Sequence, residues 1–405
     1  MELQPDVALA ISKHVLLTEA KNSNAVISPL SIHVVLSLIA AGSRGATEDQ
    51  LLSFLKAKSI NDLNSISTKL VSILAEGSAS QEGRKPLLPF LKAKLIDHLN
   101  SISIKLVSVS AEGSSASCRD REGPKLLLAN GATCHEVDFQ AKAVEATAEV
   151  NKWAEKHTNG LIKEVLPPGA IECTARLVLS SALYFKGGWK QKFDASATRD
   201  HDFHLLNGSS VRVPFMTSKM NQFVAEYNGF KVLSLSYKQG EEDKPVFSMH
   251  IFLPDSQHGL PALVERAGSE PGFSSRHIPR RRELVGEFRI PRFKLSFGFD
   301  ASNTLKGLGL VLPFSNEAEL NEMVDSSVVG SSTLTLSSIF HKSVIEVNEE
   351  GTEAAATSVG VICSRSLPER IDFVADHPFM FLITEDLTGL VLFSGHVLEP
   401  SQQAS

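Results

Sequence analysis

The sequence predicts an α+β fold that forms a single domain of 405 residues. Patterns of helical spacing, with recognisable start and stop signals, lie mainly in the first 160 residues. From Leu177 onward, apolar runs rich in aromatic and β-branched residues predict strands. Helices grouped ahead of strands are typical of α+β folds rather than of alternating βαβ units. A hydrophobic content of 42% is enough for one large core.

Three helices are predicted from the signals at their ends. Ser28, which precedes a proline, supplies an N-cap for IHVVLSLIAAG, and that stretch ends at Gly42. Thr47 and Gln50 form a capping-box pattern that opens DQLLSFLKA. The amphipathic stretch AVEATAEVNKWAEKHTNG ends at Gly160.

One segment of the chain is duplicated. Residues 51–78, LLSFLKAKSINDLNSISTKLVSILAEGS, recur as residues 87–114, LLPFLKAKLIDHLNSISIKLVSVSAEGS, with 21 of 28 positions identical. Leu and Ile at helical spacing predict that both copies are helical. Two copies are too few for a solenoid, so the repeat is interpreted as a local duplication.

The strands are predicted from continuous apolar runs. These runs are LVLSSALYF, VFSMHIFLP, GEFRIPRFKLSF, FMFLITED and GLVLFSGHVL. The last two flank a turn at Gly389 and predict a C-terminal hairpin.

Composition excludes several classes of function. A net charge of −6 argues against general binding to nucleic acid or to an anionic membrane, since both need a basic face. The four cysteines have no CxxC spacing, and no metal, cofactor, hydrolase or phosphate-binding motif is present. The longest apolar runs fall short of the roughly 18 residues that a membrane span needs. We therefore expect a protein that is not an enzyme, needs no cofactor or metal, and does not enter a membrane.

A stretch of small residues lies between two predicted strands, FHKSVIEV and IDFVADHPFMFLI. If this stretch became a strand, one face would carry Thr352, Ala354, Ala356 and Ser358. Alanine is a poor strand residue, but small side chains suit a strand that must slide between two others. A flexible linker is the alternative interpretation. An arginine, Arg365, follows further along and fits the specificity pocket of trypsin-like proteases.

The stretch EVNEEGTEAAATS resembles the hinge of the serpins, and the resemblance covers most of the chain. Further blocks that carry it are SNAVISPLSIHVVLSLIAAGSRGAT, LYFKGGWKQKFD, NKWAEKHTNGLIKEVLPPGA, IPRFKLSFGFDASNTLKGLGL and DFVADHPFMFLITEDLTGLVLFSGHV. They are most similar to plant serpins of the Z type. The resemblance implies a serpin fold with three β-sheets, a helical shell and an exposed reactive-centre loop at about residues 349–369.

The resemblance also implies roles for individual residues. The reactive bond would join Arg365 and Ser366. The shutter, beneath the central sheet, would comprise Ser28, Ser31, Ser181 and His341. The breach, where insertion begins, would comprise Trp189, Arg292 and Glu349. The hinge would comprise Glu349, Glu350, Gly351, Thr352, Glu353, Ala354, Ala355, Ala356, Thr357 and Ser358.

The function implied by the resemblance is suicide-type inhibition of endopeptidases that cleave after arginine. The target would be a trypsin-like serine protease or an arginine-specific cysteine protease, held in a covalent complex with a monomeric inhibitor. The alternative is a non-inhibitory or defective serpin-fold protein that is only a protease substrate, or a binding or storage protein. We expect an extracellular (apoplastic) or cytosolic location, because no typical secretory signal peptide is recognised.

Two departures from the family pattern bear on inhibition. The family usually has an asparagine at the position of Ser181, and a serine offers fewer hydrogen bonds. Near residues 131–137 roughly thirty residues of related serpins are missing, which would remove part of the central sheet and one helix. We expect the central sheet to lose its edge strand. We also hypothesise that the duplicated segment cannot replace it, because its pattern is helical.

Overall fold

The structure is a computed structural model that describes residues 5–63, 101–111, 133–137, 139–172, 175, 177–238, 246–320, 323, 334–350 and 370–402. For 101–111, 133–137, 139–141 and residue 186 it describes the backbone only. Within these ranges, no helix is long and apolar enough to span a membrane.

Three helices were predicted from the signals at their ends, and two of them, α2 and α4 below, agree with those signals. The helices are α1 (Pro5–Leu17), α2 (Pro29–Ala41), α3 (Gly45–Phe54), α4 (Phe139–His157), α5 (Leu260–Ser269), α6 (Phe273–His277) and α7 (Ala301–Gly307), with short 3₁₀ turns at Ala195–Ala197 and Leu312–Phe314. The Ser28 side chain accepts a hydrogen bond from the Ser31 amide and caps α2 as predicted. After α4 the chain turns through Asn159 and Gly160, whose φ angles of 53° and 79° lie in the left-handed region.

The predicted capping box of α3 was wrong. This helix begins at Gly45, so Thr47 and Gln50 lie inside it rather than at its start. Their side chains instead accept hydrogen bonds from another segment: Thr47 from the Glu319 amide, and Gln50 from the amides of Val311 and Leu312. Thr47 and Gln50 therefore form hydrogen bonds to a distant segment of the chain and do not cap the helix.

The strands form three sheets, as the predicted fold requires. The strands are β1 (Ala25–Ile27), β2 (Ser101–Ala111), β3 (Thr133–Val137), β4 (Leu177–Lys186), β5 (Arg199–His204), β6 (Ser210–Met216), β7 (Gln222–Tyr227), β8 (Phe230–Ser236), β9 (Phe247–Pro254), β10 (Arg282–Glu283), β11 (Val285–Pro291), β12 (Phe293–Asp300), β13 (Leu336–Val347), β14 (Ile371–Val374), β15 (Phe379–Glu385) and β16 (Val391–Val397). The central sheet has the order β12-β13-β4-β2-β3. The other two sheets have the orders β1-β16-β15-β9-β8-β7-β10 and β14-β11-β6-β5.

The second copy of the repeat contributes a strand to the central sheet. Residues Ser101–Ala111 form β2, which pairs antiparallel with β4 and parallel with β3. The prediction that this segment is helical was therefore wrong, and so was the hypothesis that it cannot replace the missing strand. The physical reason is that SISIKL and VSVS alternate polar and apolar residues with a period of two, and pairing with β4 favours that period over the weaker helical spacing.

The expected loss of the sheet edge was also wrong. Residues Thr133–Val137, within the stretch from which strand residues were expected to be missing, form β3. This strand pairs in parallel with Val107–Ala111 and occupies the end of the central sheet.

Both faces of the central sheet are buried. On one face of β4, Leu179 packs in a cluster with α2 and α3. On the opposite face, Val178 and Tyr184 pack against α4, in a cluster that includes Trp153. Burial on both sides explains why β4 reads as a continuous apolar run. Phe185, near its end, enters a third cluster with the seven-stranded sheet.

Candidate functional site

A fully buried histidine lies in the middle of the central sheet. His341 belongs to β13 and is 0% exposed. Its Nδ1 atom lies 3.1 Å from Ser31 Oγ and 2.9 Å from Ser181 Oγ. The Ser28 amide donates to its Nε2 atom at 3.1 Å. The structure therefore brings together the four residues that the sequence assigned to the shutter, and one imidazole links α2, β4 and β13.

The hydrogen bonds of His341 define its tautomer. An amide N–H can only donate, so Nε2, which receives the Ser28 amide, must be unprotonated. The neutral ring then carries its proton on Nδ1 and donates toward Ser31 and Ser181. Ser31 uses its own hydroxyl proton on the Ser28 carbonyl at 3.0 Å, which leaves its oxygen free to accept. Burial lowers the pKa of His341 to about 3, so the ring stays neutral at physiological pH.

A fifth member of this cluster was missed by the sequence reasoning. Ser343 lies two residues along β13 and its Oγ is 2.7 Å from Nε2 of His341. The two side chains share one face because strand residues alternate. A serine two positions from a buried histidine in an apolar strand was the signal that could have identified it. Ser181, despite being shorter than the family's usual asparagine, still reaches the imidazole.

The residues assigned to the breach also lie together, beyond the end of β13. Trp189 donates from Nε1 to the Asn348 carbonyl at 2.8 Å. Arg292 forms an ion pair with Glu349, with Nε and Oε2 separated by 3.3 Å. Thr198, which the sequence did not single out, donates to the other oxygen of Glu349 at 2.8 Å. Three segments that are distant in the sequence thus hold the two residues that follow β13.

Trp189 is itself held by aromatic packing. Its ring stacks on Tyr237 with centroids 4.5 Å apart, and Phe193 meets it edge-on at 6.3 Å. Gly187 is required beside this stack, because a Cβ there would lie 2.5 Å from the Tyr237 ring. The Trp189 donor is therefore fixed in direction before it meets the Asn348 carbonyl.

The strands on either side of the shutter are adjacent and parallel. β13 pairs with β4 from Leu336 opposite Leu177 to Ile345 opposite Phe185. His341 lies opposite Ser181 in this ladder, so their side-chain contact crosses the boundary between the two strands.

The remaining predicted site residues lie outside the described residues. This applies to the hinge from Gly351 to Ser358 and to the reactive bond between Arg365 and Ser366. Of the hinge, Glu349 is described as buried at 8% exposure and Glu350 as exposed. Among the described residues, no group of three or more His, Cys, Asp or Glu side chains could hold a metal ion.

Comparison with known proteins gives consistent matches over nearly the whole chain. A family model described as Serpin (serine protease inhibitor) matches residues 2–110 and 124–400. The chain is 52% identical to Serpin-ZX of Arabidopsis thaliana, covering 99% of this chain and 98% of that protein. It is 49% identical to Serpin-ZXA of Oryza sativa subsp. japonica, covering 93% and 90%.

Solved structures give the same result. The structure of Arabidopsis AtSerpin1 in its native stressed conformation superposes with a TM-score of 0.87 at 50% identity, covering 99% of this chain and 98% of that one. Uncleaved ovalbumin, at 23% identity, superposes with a TM-score of 0.74 over 99% of this chain and 100% of its own, and shares the fold.

Proposed function

Because this chain belongs to the serpin family, we propose that it is a suicide-type inhibitor of endopeptidases that cleave after arginine. In this proposal the protease nucleophile attacks the carbonyl carbon of Arg365, and the amine of Ser366 leaves. The protease is then joined to Arg365 as an acyl-enzyme. Insertion of the freed loop into the central sheet carries the protease away before water can hydrolyse the acyl-enzyme.

The parallel pairing of β4 and β13 is the observation that carries this proposal. A segment that follows β13 and folds back runs antiparallel to β13. Since β4 is parallel to β13, the same segment would also run antiparallel to β4. Insertion would replace one parallel ladder with two antiparallel ladders, which are slightly more stable per residue.

The loop has the length and the side chains that insertion needs. Fully extended, the 14 steps from Gly351 to Arg365 span about 46 Å at about 3.3 Å per residue. The ladder from Leu177 to Phe185 spans only about 26 Å by the same measure. Both faces of the sheet are already covered by packed side chains, so small residues such as Ala354 and Ala356 would enter with little overpacking.

The shutter and the breach support the same proposal. The contact between His341 and Ser181 crosses the boundary that an inserting strand would open. The Asn348 carbonyl and Glu349 are held by Trp189, Arg292 and Thr198 immediately before the loop begins. These contacts keep the uncleaved sheet closed until cleavage releases the loop.

The arginine at the proposed reactive bond indicates which class of protease would be the target. A trypsin-like protease binds arginine through a carboxylate in its specificity pocket. An arginine-specific cysteine protease would form the equivalent thioester, because its thiolate attacks the same carbonyl.

The test is incubation of the full chain with trypsin, followed by denaturing electrophoresis. We expect a band at the summed mass of the inhibitor fragment and the protease. Ala354→Glu keeps the arginine bait but would place a charge on the inserting face, so it should be cleaved without forming the band. Arg365→Ala should lose the band and the cleavage after residue 365. Complete cleavage of the unchanged protein at that bond, with no stable band, would refute trapping.

The thermal stability of the cleaved protein distinguishes this proposal from the alternative, which is a serpin-fold protein that is only a protease substrate. Insertion predicts a large rise in the melting temperature after the loop is cut, because the central sheet gains a strand. An unchanged melting temperature would favour the alternative. The main sequence argument for that alternative, the loss of an edge strand, no longer applies since β3 occupies the edge.

A further inference from the structure

A histidine lies in the linker between β14 and β15, where two sheets meet. β14 is the end strand of the four-stranded sheet, and β15 belongs to the seven-stranded sheet. Residues 375–378 join the two strands, and His377 is one of them. Its side chain is only 14% exposed. This histidine is not a member of the shutter or of the breach.

Both ring nitrogens of His377 face oxygen atoms that accept hydrogen bonds. Nδ1 lies 2.8 Å from Oδ1 of Asp376, and Nε2 lies 2.7 Å from the carbonyl oxygen of Pro254. Neither a backbone carbonyl nor an ionised carboxylate has a proton to donate. A neutral imidazole carries one N–H and satisfies only one of these two oxygens. The two contacts together therefore require a doubly protonated ring.

The groups around His377 favour the charged ring. Burial disfavours the imidazolium, but the hydrogen bonds to Asp376 and to the Pro254 carbonyl outweigh burial and raise the pKa of His377 above 6.5. The charge of Asp255, which directly follows β9, acts in the same direction. Burial also raises the pKa of Asp376, but the contact with His377 and the charge of His204 in β5 outweigh it, so that pKa is lowered. Asp376 is therefore a carboxylate wherever His377 titrates.

The linker is hydrogen-bonded to three strands. The Ala375 amide donates to a carbonyl of β11 at 2.9 Å, and the His204 amide of β5 donates to the Asp376 carbonyl at 2.7 Å. Pro254 is the last residue of β9, so the His377 ring adds a contact to the seven-stranded sheet. Of these three contacts, only the last one depends on the protonation of a side chain.

β14 is a strand that such a contact can hold or release. It has four residues and pairs with one neighbour, β11, in an irregular register. It is also the first described strand after the predicted reactive-centre loop at about residues 349–369. Short segments with few backbone hydrogen bonds open at the lowest free energies. A side-chain contact just beyond the end of β14 should therefore control how readily this strand opens.

We propose that His377 is a proton-controlled latch, which holds the end of β14 more firmly when its ring carries two protons than when the ring is neutral. One of its two hydrogen bonds is lost when the ring loses a proton. Because the pKa of His377 is raised above 6.5 in the folded chain, the latch is fully closed below about pH 6.5 and opens as the pH rises through the raised pKa. This inference goes beyond protease inhibition and does not depend on it.

The first test is a titration of the uncleaved full chain by proton NMR. The chain has 13 histidines, and the C2 proton of His377 is identified by its loss in His377→Gln. We expect a midpoint above 6.5. Asp376→Asn removes the negative charge beside Nδ1 and should lower this midpoint. A midpoint at or below 6.5, or no change in Asp376→Asn, would overturn the inference.

The second test is hydrogen exchange, read by mass spectrometry on peptides that cover β5 and residues 371–378. The unchanged protein and His377→Gln are compared at the same pH, so the intrinsic dependence of exchange on pH cancels. At about pH 6 the variant should exchange about fivefold faster or more, as expected for the loss of a hydrogen bond to a charged group. At about pH 8.5 the ratio should fall to about twofold or less, because the neutral ring keeps only one bond.

His258→Gln is the matched control, because this histidine is exposed and lies four residues beyond Pro254. Its exchange should equal that of the unchanged protein at both pH values. A ratio for His377→Gln that is the same at both pH values would show a fixed structural contact and would refute the latch. No protease is present in either test, so these results do not bear on the proposed inhibition, and failure to trap trypsin would not change them.

Discussion

Replacing His341 with alanine should destabilise the uncleaved protein more than the loop-cleaved protein. In the uncleaved structure the imidazole bonds to the Ser28 amide, Ser181 Oγ and Ser343 Oγ. No other described group forms a hydrogen bond with these three atoms. Loss of a partner leaves a buried polar group that costs about 1 to 3 kcal/mol.

The expected loss in the uncleaved form follows from these contacts. We take the low end of that range, about 1 kcal/mol for each of the three orphaned groups, because the hydroxyls can rotate toward other acceptors. Together the three groups then cost about 3 kcal/mol of stability. The cavity left by the ring adds about 1 kcal/mol or more. We therefore expect about 4 kcal/mol. In the cleaved form an inserted strand would already separate β4 from β13, so the contact between Ser181 and His341 would be absent and the loss should be smaller.

Urea unfolding of the uncleaved and cleaved proteins measures the two losses. His250→Ala is the matched control, because His250 is equally buried and bonds to Ser234 and Thr384 in the seven-stranded sheet. Its loss should be equal in both forms. Equal losses for His341→Ala in both forms would refute the argument that its contact with Ser181 holds β4 and β13 together in the uncleaved sheet only.

Three further predictions test other parts of the structure. Trp189→Phe should destabilise the protein by about 1 kcal/mol more than Trp153→Phe, because it also removes the donor to the half-buried Asn348 carbonyl, whereas the buried Trp153 Nε1 atom has no hydrogen-bond partner among the described residues. Equal losses in thermal unfolding would contradict this. In a cysteine-free background, V107C/S180C should form a disulfide on mild oxidation, because these positions face each other in the β2–β4 pair. The equivalent first-copy variant V71C/S180C should remain reduced, and the reverse outcome would assign the first copy to the strand. Stability should also fall between pH 6.5 and 4, because burial lowers the pKa of four histidines, to about 3 for His250 and His341 and to about 4 for His33 and His396. The unfolded chain protonates with a pKa near 6.5, so at about pH 5.5 each of these histidines costs about 1.4 kcal/mol of stability, together about 6 kcal/mol, partly offset by His377 and Asp386, whose pKa values are raised in the folded protein. Unfolding curves that coincide at pH 7 and 5.5 would contradict the assignment.

The duplicated segment shows where sequence reasoning reached its limit. Helical spacing of Leu and Ile was present, yet Ser101–Ala111 forms a strand. Relative to the first copy, Ile104 replaces Thr68 and Ser110 replaces Leu74, and both changes strengthen the alternation of polar and apolar residues. That difference between the copies was the available signal. The helical spacing of Leu and Ile was given more weight than this difference, although periodicity alone does not distinguish short strands from helices.

The candidate site also contains some residues that the sequence identified and others that it did not. The family pattern identified Ser28, Ser181 and His341 as neighbours, and the structure places them within hydrogen-bonding distance. It did not identify Ser343 or Thr198, because their roles depend on which strand face or which distant loop they meet.

The fold class, the cap of α2, the strands β4 and β13, and the run of small residues that precedes Arg365 can all be identified from the amino-acid sequence. These features depend on local periodicity and on residue size, which can be read along the chain. By contrast, the pairing of the second copy of the repeat as β2, and the polar atoms that meet in the closed sheet, are set by contacts between distant segments. Strand pairing and buried hydrogen bonds join residues that are distant in the chain, so their energies appear only once the sheet has formed.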